Sequence, residues 1–525
     1  MRYQKTHLFD KNSYLNFKNK TFGTNWPVVY ILSNDKRVYI GESTNVSQRL
    51  YQHFQNEEKK IFKNVTVIAH DDYNKSATLD IESKLIEFFA GDGGRKLTNR
   101  NGGMRKHDYY ERPKYEARFE QIWADLIKNG FVTQTLDHIK NKDLFKFSPY
   151  KSLTEDQLFV ASDIESSVIK RDSSTSIVHG GPGTGKTILA IYLYKHLKED
   201  ESTKHLKVGF VIPMMDLRKS IKKVFTTIEG LRAGDVMGPS EVLKDEYDVL
   251  IVDEAHRLKR RQNLGAEIGS FDNNNNKLGL GQEGTQLDWI LHASKHQILF
   301  YDERQSIKPT DVRSNDIKLL CTKEYQLETQ HRVNGGPDFI EALADFCDDN
   351  KVNTKFKLKN YTFKLYDSIH EFYSDIKEYD QEFRNARMIA GYSWPWDGRH
   401  TGTPDVHIED MSFVWNRTPS DSGIVFSVDE IGCIHTIQGF DLSYAGVIFG
   451  REIDYDFEKK KIVINREYYF DQNGRHGTTE EELDLYIRNI YKTLMTRGAH
   501  GLLVYIVNDN LKRHFKEVFV DLLIK

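Results

Sequence analysis

Apolar residues in this chain fall into short runs, and the period within each run differs. Pro27-Val28-Val29-Tyr30-Ile31-Leu32 and Arg37-Val38-Tyr39-Ile40-Gly41 read as strands, with Ser33-Asn34-Asp35-Lys36 as the turn between them. That segment predicts a β-hairpin. Ser43-Thr44-Asn45 then offers a helix N-cap, and Arg49 and His53 lie four residues apart, on one face of the helix that follows. A second helix between Ile81 and Phe89 carries Glu82 beside Ile86 and Phe89. A carboxylate at such an apolar boundary needs a cation or a donor. Further on, Phe119, Ile122, Trp123, Leu126 and Ile127 recur at helical spacing until Asn129-Gly130 stops them. Beyond residue 170 the runs Ser176-Ile177-Val178, Val208-Gly209-Phe210-Val211-Ile212-Pro213, Asp248-Val249-Leu250-Ile251-Val252 and Gln297-Ile298-Leu299-Phe300-Tyr301 read as buried strands. Leu258 to Gln286, with Asn273-Asn274-Asn275-Asn276 in its middle, looks like an insertion whose polyamide and glycine content reads as a mobile loop.

At 525 residues the chain has room for about three domains. Its net charge of −3 provides no global basic field, so nucleic-acid binding has to use local patches. One candidate patch is Arg95, Lys96, Arg100, Arg105 and Lys106. Cys321, Cys347 and Cys433 are isolated, against a disulfide framework or a cysteine zinc site. No apolar run reaches the ~18 residues of a membrane span, and the polar start Met1-Arg2-Tyr3-Gln4-Lys5-Thr6 is unlike a signal peptide. The expectation is a cytoplasmic protein with no membrane partner. An oligomer is compatible with the sequence, which carries no signature of one.

Chemistry enters with His179-Gly180-Gly181-Pro182-Gly183-Thr184-Gly185-Lys186-Thr187, which fits G-x-x-x-x-G-K-[ST] between a strand and an apolar helix start at Ile188. Gly180, Gly183 and Gly185 let backbone N–H groups turn toward phosphate oxygens. Lys186 is expected to reach the β- and γ-phosphates, and Thr187 to ligate Mg²⁺. Asp253-Glu254-Ala255-His256 follows an apolar strand, the expected position of a Walker B pair. Asp253 then holds Mg²⁺ through water, and Glu254 positions or deprotonates the attacking water. The cofactors expected are ATP and Mg²⁺.

The hairpin and its helices resemble the GIY-YIG endonucleases. Val28-Val29-Tyr30 stands at the first triplet, with Val28 in place of glycine, and Tyr39-Ile40-Gly41 matches the second. Arg49, His53, Glu82 and Asn99 fall where that family keeps its Arg, His, Glu and Asn. The resemblance implies phosphodiester hydrolysis with one divalent metal, Mg²⁺ or Mn²⁺, on Glu82. It implies a phosphate clamp from Arg49, a water oriented or deprotonated by Tyr30 or Tyr39 with His53, and Asn99 bracing the site.

The remainder resembles superfamily 1 helicases. Gln157 stands where those enzymes read the adenine edge, and Gln305 where they sense the γ-phosphate, although Tyr301 replaces the glycine usual in that motif. Leu327-Glu328-Thr329-Gln330-His331-Arg332, Ile437-Gln438-Gly439-Phe440-Asp441 and Leu494-Met495-Thr496-Arg497-Gly498 resemble the later motifs. They supply Gln438 and Gly439 to the nucleotide site and Arg332 and Arg497 across the cleft from the P-loop, where arginines stabilise charge on the transferred phosphoryl group. Gly391-Tyr392-Ser393-Trp394-Pro395-Trp396 is similar to the ATPase module of Schlafen-like and related bacterial proteins. Its aromatics would either stack on bases or pack as core.

The expected fold class is α/β, a small GIY-YIG domain followed by two RecA-like P-loop lobes with mostly parallel sheets. The expected boundaries are 1–105 for the nuclease, 106–150 for a helical connector, and 151–325 and 326–525 for the lobes. The expected function is an ATP-dependent nuclease and translocase that cleaves DNA, suited to defence against invading DNA or to repair. RNA is the alternative target. A nucleotide-gated sensor nuclease, or a nucleic-acid-binding ATPase with an inactive nuclease domain, is the alternative function.

Overall fold

The computed structural model describes residues 2–524 apart from 100–108, 141, 152, 182, 328–332, 384, 399–400, 416–426 and 438–441. The chain divides into two compact units. One comprises Met1–Lys170, Thr187–Phe210 and Arg218–Met237, the other Arg171–Lys186, Val211–Leu217 and Gly238–Lys525. No helix among the described residues is long and apolar enough to cross a membrane.

In the first unit, β1 (Arg2–Leu8), β2 (Val28–Ser33), β3 (Arg37–Ser43), β4 (Asn64–His70) and β5 (Lys96–Leu97) form one sheet in the order β1-β4-β2-β3-β5. The β2–β3 hairpin read from the sequence is present, and its register sets Tyr30 opposite Gly41. Helix α1 (Leu15–Lys18) precedes it. Helix α2 (Val46–Gln55) starts at Asn45, whose side chain accepts the Gln48 N–H, and α3 (Lys75–Asp92) is capped in the same way by Asn74. Val28, Tyr30 and Leu32 share a core with Val46 and Leu50 of α2. Helix α4 (Arg112–Lys128) buries Tyr115, Phe119, Ile122, Trp123 and Leu126. It docks on α3 through Trp123, whose ring lies 5.6 Å from both Phe88 and Phe89. Gly130 ends it at φ +69°, where glycine avoids a Cβ clash.

The next strands along the chain are β6 (Ser174–Gly180), β7 (Val208–Val211), β8 (Val236–Met237), β9 (Tyr247–Val252), β10 (Ser294–Tyr301) and β11 (Lys323–Leu327). Within the second unit, β11, β6, β10 and β9 pair in that order, all parallel. β12 (Thr362–Tyr366), β13 (Ala386–Ala390), β14 (Val406–Ile408), β15 (Met411–Trp415), β16 (Glu430–Cys433), β17 (Leu442–Phe449) and β20 (Gly498–Ile506) form a second sheet, ordered β12-β20-β17-β13-β16-β15-β14. Only the edge pair β14–β15 runs antiparallel. A separate hairpin joins β18 (Ile453–Asp456) to β19 (Lys461–Ile464). Two parallel sheets whose strands are near-continuous apolar runs are the RecA-like signature expected from the sequence.

Two local expectations change. The polyamide stretch is helical over Ile268–Leu278 rather than a loop. Asn275 is buried there, donating to the Gly284 carbonyl at 2.9 Å and accepting from the Trp289 indole at 2.7 Å. The aromatic cluster is core. Tyr392 and Trp394 lie 5.8 and 6.1 Å from the ring of buried Trp415, and Trp396 packs on the same core.

Candidate active sites

The hairpin, α2 and α3 bring the nuclease candidates to one cleft of about 700 Å³, lined by Tyr39, Arg49, His53, Glu82 and Asn99 among others. Tyr30 is buried beneath it, its hydroxyl 2.7 Å from His53 Nε2. Gly41 makes that approach possible, because a Cβ there would sit 2.3 Å from the Tyr30 hydroxyl. The glycine of the second triplet is thus a packing requirement set by the tyrosine of the first. Asn99 pairs with the edge of β3, accepting the Ile40 N–H at 3.0 Å and donating to the Ile40 carbonyl at 2.7 Å. Arg49 donates to Gln52 at 3.1 Å, and its guanidinium also faces the hydroxyls of Tyr30 and Tyr39. Val28, in the place of the usual first glycine, is fully buried in the sheet core.

Burial and charge sort these groups. Burial, with Arg49 and Lys59 nearby, pushes the His53 imidazole down to about 4, so it is neutral near pH 7. Burial raises both tyrosine hydroxyls above the ordinary phenol value, so neither is a phenolate. Burial and the charge of Glu42 push the Glu82 carboxyl up to about 7. Glu82 accepts the Glu42 N–H at 3.1 Å. The Glu42 carboxylate pairs with Lys75 through one oxygen, and its other oxygen is buried without a hydrogen-bond partner. Two oxygen-only groups and one unsatisfied buried oxygen fit a hard divalent cation. Glu42 was not among the sequence candidates, and its only signal there is its place immediately after the second triplet.

Of the basic patch, Arg95 donates to the carbonyls of Phe131 and Gly130 at 2.6 and 3.3 Å. Lys96 lies 3.8 Å from Glu229. Arg100, Arg105 and Lys106 lie outside the described residues.

The P-loop, Asp253-Glu254 and Gln305 follow the C-terminal ends of β6, β9 and β10. Gly183 and Gly185 have φ of +82° and +79°, which glycine adopts without strain. A Cβ on Gly180 would meet the Thr184 hydroxyl at 2.4 Å. Glycine at 180, 183 and 185 leaves backbone N–H groups of this loop accessible to phosphate oxygens, so the chain fits a nucleotide polyphosphate. Lys186 is buried, donating to the Gly180 and Gly181 carbonyls at 2.5 and 3.1 Å. Thr187 follows it in the first turn of the helix Lys186–Glu199.

Asp253 follows β9 and donates its N–H to the Val211 carbonyl at 3.0 Å. Glu254 takes a left-handed conformation at φ +56°, a position non-glycine residues occupy at a cost. Its carboxylate lies 3.0 Å from His256 Nε2. Burial alone would raise the Glu254 carboxyl, but His256, with Lys186 and Arg257, outweighs it and holds the group below the usual range. Glu254 is therefore ionised, as a water-orienting group must be. Gln305 and Arg497 meet directly, while Asp302 lies between Gln305 and Lys186 and was not read as a candidate. Gln157 is buried in the first turn of Glu155–Lys170, its side-chain carbonyl accepting the Thr154 N–H at 3.0 Å. Arg332, Gln438 and Gly439 lie outside the described residues.

A GIY-YIG-type cleft and a P-loop on a RecA-like sheet, in one chain, define a nucleic-acid-processing protein with a nuclease domain and a helicase-like domain. Residues 173–508, well over half of the chain, match the family described as Schlafen group 3, DNA/RNA helicase domain, and the chain belongs to that family. Residues 27–90 match the GIY-YIG catalytic domain. A relative in Saccharomyces cerevisiae, the uncharacterized protein YPL245W, is 25% identical over 398 residues, 64% of this chain and 82% of its own. Among solved structures, the PRRSV helicase aligns with TM-score 0.28 at 12% identity, covering 66% of this chain and 54% of its own. The Arterivirus nonstructural protein 10 helicase in complex with DNA aligns with TM-score 0.32 at 14% identity, covering 66% and 65%. The chain thus spans less than two thirds of these two helicases.

Proposed function

We propose that the protein is a metal-dependent nuclease coupled to an ATP hydrolase, acting on DNA. The observation that carries this reading is the convergence of Tyr39, Arg49, His53 and Glu82 on one cleft, with the hydroxyl of Tyr30, buried beneath it, 2.7 Å from a neutral His53 nitrogen. His53 Nε2 accepts the Tyr30 proton as the Tyr30 oxygen accepts a proton from the attacking water. The water oxygen bonds to phosphorus, and the bond to the leaving sugar oxygen breaks. Arg49 donates to the non-bridging phosphate oxygens, and Tyr39, its ring 5.3 Å from the imidazole of His53, orders the water. Glu82, with Glu42 beside it, would hold Mg²⁺ or Mn²⁺, which when bound stabilises charge on the leaving oxygen.

For ATP, Lys186 and the loop N–H groups bind phosphates, Thr187 and Asp253 would hold Mg²⁺, and Glu254 orients water. Arg497 supports the reading of a closing arginine, since it belongs to the same hydrogen-bonded set as Lys186. The proposed organisation keeps the nuclease within 1–105, the connector at 106–150 and the lobes at 151–325 and 326–525.

The test uses Glu82→Ala and Arg49→Ala in the full chain, each checked for folding by circular dichroism. Cleavage of single-stranded and duplex DNA and RNA should fall by about two or more orders of magnitude, while ATP turnover stays within about twofold of the parent. A folded Glu82→Ala protein that cuts at the parent rate would remove the nuclease assignment and leave a nucleic-acid-binding ATPase.

A further inference from the structure

One buried chain of two hydrogen bonds and an ion pair crosses the nucleotide site of the second unit. Arg497 Nη2 donates to Gln305 Oε1 at 3.4 Å. Gln305 Nε2 donates to Asp302 Oδ2 at 2.6 Å. The same Asp302 oxygen lies 3.6 Å from Lys186 Nζ. Exposure along this chain is 1% for Arg497, 5% for Gln305, 5% for Asp302 and 6% for Lys186. Hydrogen bonds and charges at such burial interact strongly, because little water screens them.

The geometry is held at several points. Asp302 caps the short turn Glu303–Gln305, accepting the Arg304 N–H at 3.2 Å through its other oxygen. The Gln305 N–H returns to the Asp302 carbonyl at 3.0 Å. Asn489, on the helix Glu480–Met495 that leads to Arg497, donates to the Ser306 carbonyl at 3.1 Å. Upstream, the Tyr301 ring stands edge-on to His179 at 5.8 Å and to His256 at 6.2 Å. Tyr301 replaces the glycine usual in this motif, and it wedges the end of β10 between the P-loop strand and the Walker B turn.

We propose that Asp302 is a positioning residue for nucleotide hydrolysis that also competes with nucleotide for Lys186. The inference rests on reading the P-loop as an ATP site. A phosphate oxygen that takes the Lys186 ammonium must displace a buried carboxylate and then lie near its negative charge. Asp302 is not orphaned by that exchange, because the Gln305 amide and the Arg304 N–H still donate to it, so the exchange is reversible. Asp302 also fixes which end of the Gln305 side chain faces Arg497. With the amide nitrogen on Asp302, the amide oxygen is left to accept from the guanidinium. Loss of Lys186 from one end and γ-phosphate contact at the other are thereby linked through a single side-chain orientation.

Removing the charge should therefore act in opposite directions on binding and turnover. Asp302→Asn keeps the shape and removes the negative charge, so nucleotide should bind roughly tenfold tighter, given the Coulomb term between buried like charges. The amide that this substitution introduces would offer a donor to Gln305, whose side chain must flip and present its NH₂ to Arg497, donor against donor. The maximal turnover rate should fall roughly tenfold or more. Asp302→Ser keeps an oxygen for the Arg304 N–H, so the turn stays capped, and it should likewise bind nucleotide more tightly. A merely structural role would weaken binding and turnover together.

The measurement is binding of a fluorescent ATP analogue by the full-length protein, alongside steady-state ATP hydrolysis, for the parent and both variants. Tighter binding with slower turnover in Asp302→Asn supports the proposal. Binding that is unchanged or weaker in both variants, with a parent that binds normally, overturns it and leaves the ATP site standing. A parent that binds no ATP analogue overturns the nucleotide reading and the proposal with it.

Discussion

Glu82, the proposed metal ligand, occupies an otherwise unfavourable position. It lies at the boundary of a cleft, next to a second carboxylate, and burial with Glu42 pushes its carboxyl up to about 7. An unfolded Glu titrates at about 4.3. As pH rises through that window the unfolded chain loses this proton first and the native state retains it. The unfolded state then binds fewer protons, so Glu82's contribution to stability falls as pH rises from about 4.5 to 7. Glu82→Gln removes the titration. The variant should match the parent near pH 4 and exceed it at pH 8 by on the order of 3–4 kcal/mol, from about 1.4 kcal/mol per pKa unit. Urea unfolding at the two pH values checks this, and an equal difference at both would show that Glu82 carries no raised pKa. A carboxyl that costs stability at working pH supports the proposed reading of Glu82 as a metal ligand.

At the level of single helices and strands, the same physics separates what the sequence announces from what it hides. The β2–β3 hairpin and α2 were legible because period, turn residues and an Asn cap agree. The helix Ile268–Leu278 was not, because asparagine is a weak helix former and a run of it reads as loop. Tertiary partners override that preference. Arg261 holds Asp272 through two bonds of 2.6 and 2.9 Å, and Asn275 joins the Gly284 carbonyl to the Trp289 indole. Asn275→Ala should cost about 2–3 kcal/mol by leaving the Trp289 N–H unsatisfied, while exposed Asn276→Ala should cost about 0.5 kcal/mol or less. Thermal or urea unfolding distinguishes the two, and equal costs would mean that the helix is held by its backbone alone. The Tyr392–Trp396 cluster carried two readings in sequence; buried Tyr392 and half-buried Trp394 lie against Trp415, and half-buried Trp396 packs on the same core, which favours core. Asp302 stayed hidden for a different reason. Its partners Lys186 and Gln305 are separated from one another by more than a hundred positions, and only the parallel pairing of β10 with β6 brings them together.

The whole chain combines a GIY-YIG domain and a helicase-like domain with a net charge of −3. A protein without a global basic field binds nucleic acid through a limited set of lysines and arginines, and each phosphate neutralised adds to the salt dependence. This separates the motor reading from the sensor reading. If the helicase-like domain moves along nucleic acid, single strands should raise ATP turnover several-fold. That stimulation should collapse between roughly 50 and 200 mM salt, while the basal rate, set by buried groups such as Lys186 and Glu254, should change little. Lys186→Ala should abolish basal and stimulated turnover alike, because no other described side chain supplies a cation within the glycine loop. Cleavage by that same variant is the deciding measurement. Its nuclease residues are intact, so it should still cut short single strands that need no translocation. On long duplex substrates it should lose cutting if movement feeds the nuclease. Equal loss on both substrates, with ATP turnover indifferent to nucleic acid, would point instead to a domain that gates the nuclease by binding nucleotide.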